Sequence, residues 1–153
     1  MKIIVAAIGK LNKKSPEQAL IDDYVSKTKW PVQVVQVEEK KALRGVALQE
    51  AEGKLLLGQV PAGYKIVALD ERGEQPSSRA FAAKIARWRD EGTDGIAFLI
   101  GGADGHRDLV RQKADYLLSF GRMTMPHFLA RVVLVEQIYR AKTILDGHPY
   151  HRD

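Results

Sequence analysis

The chain has 153 residues, 45% of them hydrophobic and 28% charged, with no cysteine and a formal net charge of +5. That length makes a single domain, residues 1–153, with a core of its own, and the composition is too apolar for a disordered chain. The missing cysteines exclude a disulfide scaffold, a thiolate metal site and a cysteine nucleophile, while the mild basic excess suits a polyanionic partner without establishing one.

Lys2–Ile8 reads as a short buried strand closed by Gly9. Ser15-Pro16-Glu17-Gln18 is a helix start, with Ser as N-cap and Pro at the first helical position, and Pro31 stops that helix. Val32–Val37 is β-branched and strand-like. Residues 38–45 form a mixed charge run, read as a solvated loop or as a loop facing nucleic acid. A helix over Val46–Leu57 follows, with Ala47, Ala51, Leu55 and Leu56 on one side. Tyr64–Leu69 is a third strand with Asp70 at its carboxyl end, and Ser77 or Ser78 caps a helix with Phe81, Ile85 and Trp88 on one face. Ile96–Ile100 is a fourth strand, then come a glycine turn, a short helix near Arg107–Lys113 and a fifth strand near Tyr116–Phe120. The loop Gly121–Pro126 leads into a long helix over His127–Leu145. Strands alternating with helices predict an α/β fold with a mainly parallel sheet flanked by helices.

In such sheets ligands lie beyond the carboxyl ends of the strands, which directs attention to Leu69-Asp70, Gly101–Gly105 and Gly121–Pro126. The run Ile100-Gly101-Gly102-Ala103-Asp104-Gly105 takes a buried strand into a Cβ-free turn and then a helix start. Its spacing fits neither the dinucleotide fingerprint nor a P-loop. Read from the pattern alone, it is either a ligand cradle or a tight turn. Gly121-Arg122-Met123-Thr124-Met125-Pro126 joins a glycine to two methionines, which suit the wall of an aromatic ring site or the filling of a core. The four histidines lack metal-ligand spacing, so no metal is expected. The ending His148-Pro149-Tyr150-His151-Arg152 sets an aromatic ring, an imidazole and a guanidinium side by side, as an element that stacks on bases and grips phosphate would; a frayed basic tail is the alternative. The second half carries nine arginines and three lysines against two and ten in the first, and arginine's planar fork suits phosphate. No run approaches the roughly 20 apolar residues that span a bilayer, and the apolar start is too short for a signal peptide, so a cytoplasmic protein is expected.

Four segments in order, Ile100–Gly105, Leu118–His127, the helix Arg131–Arg140 and the ending Tyr150-His151-Arg152, together with Met1–Gly9 and the overall length, resemble the ribosomal RNA large subunit methyltransferase H family of the SPOUT class. The resemblance implies a SPOUT-type sheet with a C-terminal trefoil knot, a homodimer, and S-adenosylmethionine as cofactor. It implies as substrate a pseudouridine in the helix 69 loop of 23S rRNA, methylated at N3 within the assembled ribosome. Matched by motif, the cofactor contacts fall at Leu69, Gly102, Gly121, Arg122, Met123, Thr124, Met125 and Pro126. Tyr150, His151 and Arg152 are expected to position the substrate, and His151 or Asp104 to take the N3 proton. Residues 38–63 match no motif. Three further expectations follow: the tail contributes little to the fold, a side chain at Gly102 fills the cofactor's place, and the long helix keeps an apolar face for a second protomer. The rival reading is an RNA- or ribosome-binding module with this fold and no catalysis.

Overall fold

Five strands and five helices alternate along the chain in a computed structural model that describes residues 1–153: β1 (Lys2–Ile8), α1 (Pro16–Lys27), β2 (Val32–Val37), α2 (Gly45–Leu57), β3 (Tyr64–Glu74), α3 (Ser78–Asp90), β4 (Gly95–Ile100), α4 (Asp108–Lys113), β5 (Tyr116–Leu118) and α5 (His127–Leu145). The strands form one parallel sheet in the order β2-β1-β4-β3-β5. β1 and β4 are apolar at nearly every position because helices cover both of their faces.

Alternate residues divide between two cores. Ile3, Val5, Phe98 and Val67 face the side covered by α1, α3 and α5, whereas Ile4, Ala6, Leu99 and Ala68 face α2 and α4. Ile3, Val5, Ile96, Phe98 and Leu99 are 1% exposed or less, and burial of such side chains stabilises by about 1.5–3 kcal/mol each. The second face is thinner. Gly53 lets α2 approach Val110 of α4 closely, since a Cβ there would lie 3.1 Å from the Val110 side chain. Ala47, expected on the buried side of α2, is exposed, and Leu56 carries the contact instead.

α5 touches both α1 and α3 and so lies between them, although β5 lies outside β3 at the sheet edge. The connector from β5 to α5 must therefore cross the connector from β3 to α3. β3 does not stop at Leu69 as its apolar run suggests. It continues past an irregularity to Glu74, and Leu69 and Glu74 both pair with Leu118. The Ser119 N–H donates to the Glu74 carbonyl at 2.9 Å. Only a glycine fits at position 73, because a Cβ there would lie 2.5 Å from the Leu117 carbonyl. This extension of β3 sets the end of β5, and the loop after it, against the tips of β3 and β4.

Val132, Leu134, Val135 and Ile138 of α5 are all buried within the protomer, because the helix has neighbours on both flanks as well as the sheet beneath it. The apolar face expected to await a second protomer reduces to Leu129, 45% exposed, beside half-buried Val133.

Candidate functional site

The tips of β3, β4 and β5 open into one cleft of about 330 Å³, completed by Arg111 of α4 and by His127 and Ala130 of α5. That volume lies in the range of small-molecule sites. The first wall is the glycine turn. A Cβ at Gly101 would lie 3.1 Å from the Gly105 backbone, the Gly105 N–H donates to the Gly102 carbonyl at 3.0 Å, and Gly105 has φ +75°. The chain thus folds back on itself in five residues, with glycine favoured at 101 by the close approach and at 105 by its positive φ.

The second wall is the loop 119–126. Ser119 Oγ accepts from the Gly121 N–H at 3.2 Å and donates to the Gly121 carbonyl at 3.1 Å, and Gly121 sits at φ +131°. This brace fixes the loop's start, yet the N–H groups of Arg122, Met123, Thr124 and Met125 have no partner in the chain. Met123 is 88% exposed. Open backbone donors beside an exposed thioether leave a surface able to hold a flat polar ring by its edge and its face.

Of the residues expected to contact a cofactor, Leu69, Gly102, Gly121, Arg122, Met123, Thr124 and Met125 line this cleft. Pro126 does not; it is the N-cap of α5, just behind the loop. Gly102 lines the cleft by its backbone, but its missing side chain points elsewhere. A Cβ there would lie 3.0 and 3.1 Å from the two carboxylate oxygens of Glu52 on α2, so a side chain would displace Glu52 instead of filling the cleft.

Three polar residues of the cleft were not legible as a group. Asp70 has a side chain 2% exposed; its Oδ2 accepts from Arg111 Nε at 2.7 Å and its Oδ1 from the Arg72 N–H at 2.9 Å. Burial alone would raise its pKa, but these donors outweigh it and hold the carboxyl below its ordinary value. His106, 5% exposed, contacts the Leu99 carbonyl through Nε2 at 3.1 Å. A carbonyl only accepts, so Nε2 carries the proton, and burial lowers the imidazole pKa and keeps it neutral. His127 is likewise shifted down, by burial and by the neighbouring Arg131 cation. Glu52, just behind the glycine turn, has no hydrogen-bond or ion-pair partner, and burial with the charges of Asp104 and Glu39 raises its pKa.

Arg131, on the first turns of α5, is 1% exposed. Its Nη2 donates to the carbonyls of Ile8 and Gly9 at 2.6 and 2.7 Å, its Nη1 donates to Gln36 Oε1 at 3.0 Å, and its Nε has no partner. Desolvation pushes this guanidinium down to about 10.

Tyr150, His151 and Arg152 do not line the cleft of their own chain. The Tyr150 hydroxyl donates to Glu136 Oε1 at 2.9 Å, and its ring packs edge-on to Tyr139 at 4.7 Å with the Arg140 guanidinium 4.7 Å away. His151 Nδ1 faces Arg140 Nη1 at 3.1 Å, and arginine only donates, so Nδ1 accepts. Nε2–H then donates to Asp153 at 3.0 Å, and Asp153 is gripped by Arg79 of α3 at 2.8 and 2.9 Å. Hydrogen bonds from Arg79 first and His151 second draw the Asp153 carboxyl down to about 2. The ending therefore ties α3 to α5, against the expectation that it adds little to the fold. In this arrangement neither nitrogen of His151 is free to take a proton. Arg152 is exposed.

Among known proteins, a family described as predicted SPOUT methyltransferases matches residues 1–151. A protein named ribosomal RNA large subunit methyltransferase H from Paramagnetospirillum magneticum is 52% identical over 152 residues, 99% of each chain. Proteins of the same name from Rhodospirillum centenum and Paracoccus denitrificans are 48% and 47% identical, covering 99% and 100% of each chain. A solved structure of a probable methylase family protein from Haemophilus influenzae shares the fold, with a TM-score of 0.57, 12% identity, and 99% of this chain and 70% of that chain covered.

Proposed function

The chain belongs to the ribosomal RNA large subunit methyltransferase H family of SPOUT methyltransferases, and from that premise we propose that it transfers a methyl group from S-adenosylmethionine to N3 of a pseudouridine in the helix 69 loop of 23S rRNA within the assembled ribosome. The observation that carries this reading is the convergence of three strand tips on one cleft, walled by a Cβ-free turn on one side and by four unpartnered backbone N–H groups on the other. The residues fit the cofactor. Leu69, the backbone of Gly102 and the loop Gly121–Met125 would hold it, with Pro126 setting the angle at which the loop enters α5. The cofactor would supply an electrophilic methyl group and leave as S-adenosylhomocysteine, while the N3 proton would pass to Asp104, the expected base that lines the cleft.

What the chain supplies is mainly position. Asp70 is fully engaged by Arg111 and the Arg72 N–H, so it stiffens the floor of the cleft instead of exchanging protons. Gly73 and the Glu74–Ser119 hydrogen bond hold the β5–α5 loop against the tip of β3. The crossing of the two connectors there supports the trefoil thread that the sequence resemblance implies. The tail lies outside the cleft of its own chain, so Tyr150, His151 and Arg152 reach a bound base only by leaving Glu136 and Arg140 or by serving the cleft of a second protomer. The homodimer supplies the second route without breaking the tail's network. Exposed Leu129, two residues beyond the cleft-lining His127, supports a contact near the cleft mouth.

The test is to incubate the protein and labelled S-adenosylmethionine with ribosomes from cells lacking the enzyme, and then to map the modified nucleotide. Label confined to N3 of one pseudouridine in helix 69 is the expected result. Cofactor binding without transfer to ribosomal RNA contradicts the proposed reaction.

A further inference from the structure

The two ends of the sheet carry opposite charge. At the carboxyl ends of the strands, the connectors 9–15, 38–44, 75–77, 101–107 and 119–126 carry +3, +1, 0, 0 and +1, or +5 together, and +3 once the polar tip of β3, Asp70–Glu74, is counted at −2. At the amino ends, the connectors 28–31, 58–63, 91–94 and 114–115 carry +1, 0, −2 and −1, or −2 together. The basic end is the end that holds the cleft.

Pairing differs in the same way. Of the eight lysines and arginines on the carboxyl-end connectors, only Lys40 has a carboxylate within reach, Glu38 at 3.8 Å. Of the sixteen elsewhere, eight are paired. Surface cations without partners are common singly; their concentration around one cleft leaves a field that the chain itself does not cancel.

One connector concentrates this charge and is built to hold it in place. The segment from Gly9 to Ser15 carries Lys10, Lys13 and Lys14 and no acid. The carbonyls at its root, of Ile8 and Gly9, are held by buried Arg131, and Gln36 Oε1 accepts from both Arg131 and the Leu11 N–H, the latter at 2.7 Å. Asn12 Oδ1 accepts from the Lys14 N–H at 2.8 Å, the Ser15 N–H donates to the Asn12 carbonyl at 3.0 Å, and Ser15 caps α1. The loop is thus pinned at its root, middle and end, while none of its three ammonium groups is bound. Arg131 adds a cation behind it that is 1% exposed and has no carboxylate partner. The root also abuts the cleft: the missing side chain of Gly9 would lie 3.8 Å from the ring of His127, a cleft residue. The acids of the same edge lie elsewhere: Glu38, Glu39 and Asp104 on other connectors, and Asp70, Glu71 and Glu74 at the tip of β3.

We propose that the Lys10–Lys14 loop, braced by Arg131 and Gln36, is the element that grips the phosphate backbone of the RNA beside the cleft. The assignment rests on the reading of the protein as a ribosomal RNA methyltransferase. Pre-set ammonium groups spaced along a rigid loop gain affinity by releasing counterions from the RNA, at little ordering cost to the protein. Because phosphate contacts carry no sequence information, this loop sets affinity and register, and the cleft and tail are left to choose the base.

The experiment compares two triple variants that remove the same charge. Lys10→Gln/Lys13→Gln/Lys14→Gln strips the loop; Lys2→Gln/Lys29→Gln/Lys113→Gln strips three unpaired lysines outside the carboxyl-end connectors. Fluorescein-labelled protein is titrated with 70S ribosomes over a salt series, and S-adenosylmethionine affinity is measured by calorimetry for each protein. The loop variant is expected to bind ribosomes about tenfold to a hundredfold more weakly, with a salt dependence shallower by about two units of log K against log salt. Its cofactor affinity should be unchanged, and the control triple should match the wild type in both. Equal weakening of the two triples, or wild-type ribosome binding by the loop variant, overturns the assignment. Wild-type protein that binds ribosomes in a salt-dependent way but not S-adenosylmethionine overturns the methyltransferase reading instead, and the loop is then judged by the ribosome titration alone.

Discussion

The cleft and the C-terminal tail are both rich in polar groups, but they dispose of them in opposite ways. In the tail every named group except exposed Arg152 meets another: Tyr150 with Glu136, His151 with Arg140 and Asp153, Asp153 with Arg79. Along the cleft the backbone N–H groups of Arg122–Met125 have no partner in the chain, and Arg122, Met123 and Thr124 are exposed. Water can serve the N–H groups of the three exposed residues, whereas that of half-buried Met125 costs free energy without a partner. A loop that leaves its donors open can offer them to a ligand at the loss only of water, whereas a region that satisfies its own donors is arranged for the fold. By that measure the cleft is prepared to bind as it stands. The tail has a structural role as well as the substrate role that its residue types suggest.

The largest effect that sharpens this contrast is truncation after Pro149. Loss of a base–aromatic stack, about 1–3 kcal/mol, and of an arginine contact of similar size lowers methyl transfer by about two to three orders of magnitude. Loss of the Tyr150–Glu136 bond and the Tyr139 contact lowers stability by about 1–2 kcal/mol. Transfer assays with ribosomes and urea unfolding measure the two effects, and a stability equal to wild type breaks the structural half of the comparison.

Asp70→Asn is the corresponding change in the cleft. It leaves Arg111 beside a neutral amide in a site where the carboxylate is nearly inaccessible, at a cost of about 2–3 kcal/mol. The folded-state pKa of Asp70 is depressed, so its contribution is present above the unfolded value and fades as pH falls through the folded one. The difference between wild type and variant in urea unfolding should therefore shrink below about pH 4.

His106 titrates in a higher window with a related sign. Its pKa is lowered on folding, so stability is complete above the unfolded value of about 6.5 and declines as pH falls from there toward the folded value. The slope is at most about 1.4 kcal/mol per pH unit for one proton. His106→Gln, which keeps a donor for the Leu99 carbonyl, should flatten the fall between pH 6.5 and 5.5 in urea unfolding.

The smallest effect belongs to Glu52. Its raised pKa means that the folded state disfavours its charge, so stability rises as pH falls through the folded value. Glu52→Gln should raise stability at pH 7 by about 0.3 kcal/mol, small because solvent screens the site. Unfolding of Gly102→Ala tests the same contact, since the added methyl group pushes the Glu52 carboxylate aside.

The regular elements were legible because each reads locally. β1 and β2 follow from apolar and β-branched runs, and α5 from a proline at its start and a pattern apolar on several sides. The extension of β3 through Asp70–Glu74 was not, because those residues are polar and gain strand pairing only from Leu118, which lies 44 positions beyond Glu74. The three cleft loops were found from the rule that ligands lie at strand tips, with support from the family resemblance. The Asp70–Arg111 pair was missed because its partners are separated by 41 positions, although an aspartate at the carboxyl end of a buried strand was a signal worth following. The direction of a side chain at Gly102 was hidden for the same reason, since Glu52 reaches it from another helix. The tail's residue types suggested RNA, but their docking depends on Glu136, Arg140 and Arg79, and nothing local marks those as partners.

The central claim, that the strand-tip cleft binds S-adenosylmethionine without the tail's help, is tested most directly by calorimetry on three proteins: wild type, Ala130→Phe and the chain truncated after Pro149. Ala130 lines the cleft from a helical position, so phenylalanine there enters the cleft without straining the backbone. The expected results are binding by the wild type, equal affinity in the truncated chain, and loss of binding in Ala130→Phe with a native circular dichroism spectrum. Wild-type affinity in Ala130→Phe, or loss of binding on truncation, would contradict that claim.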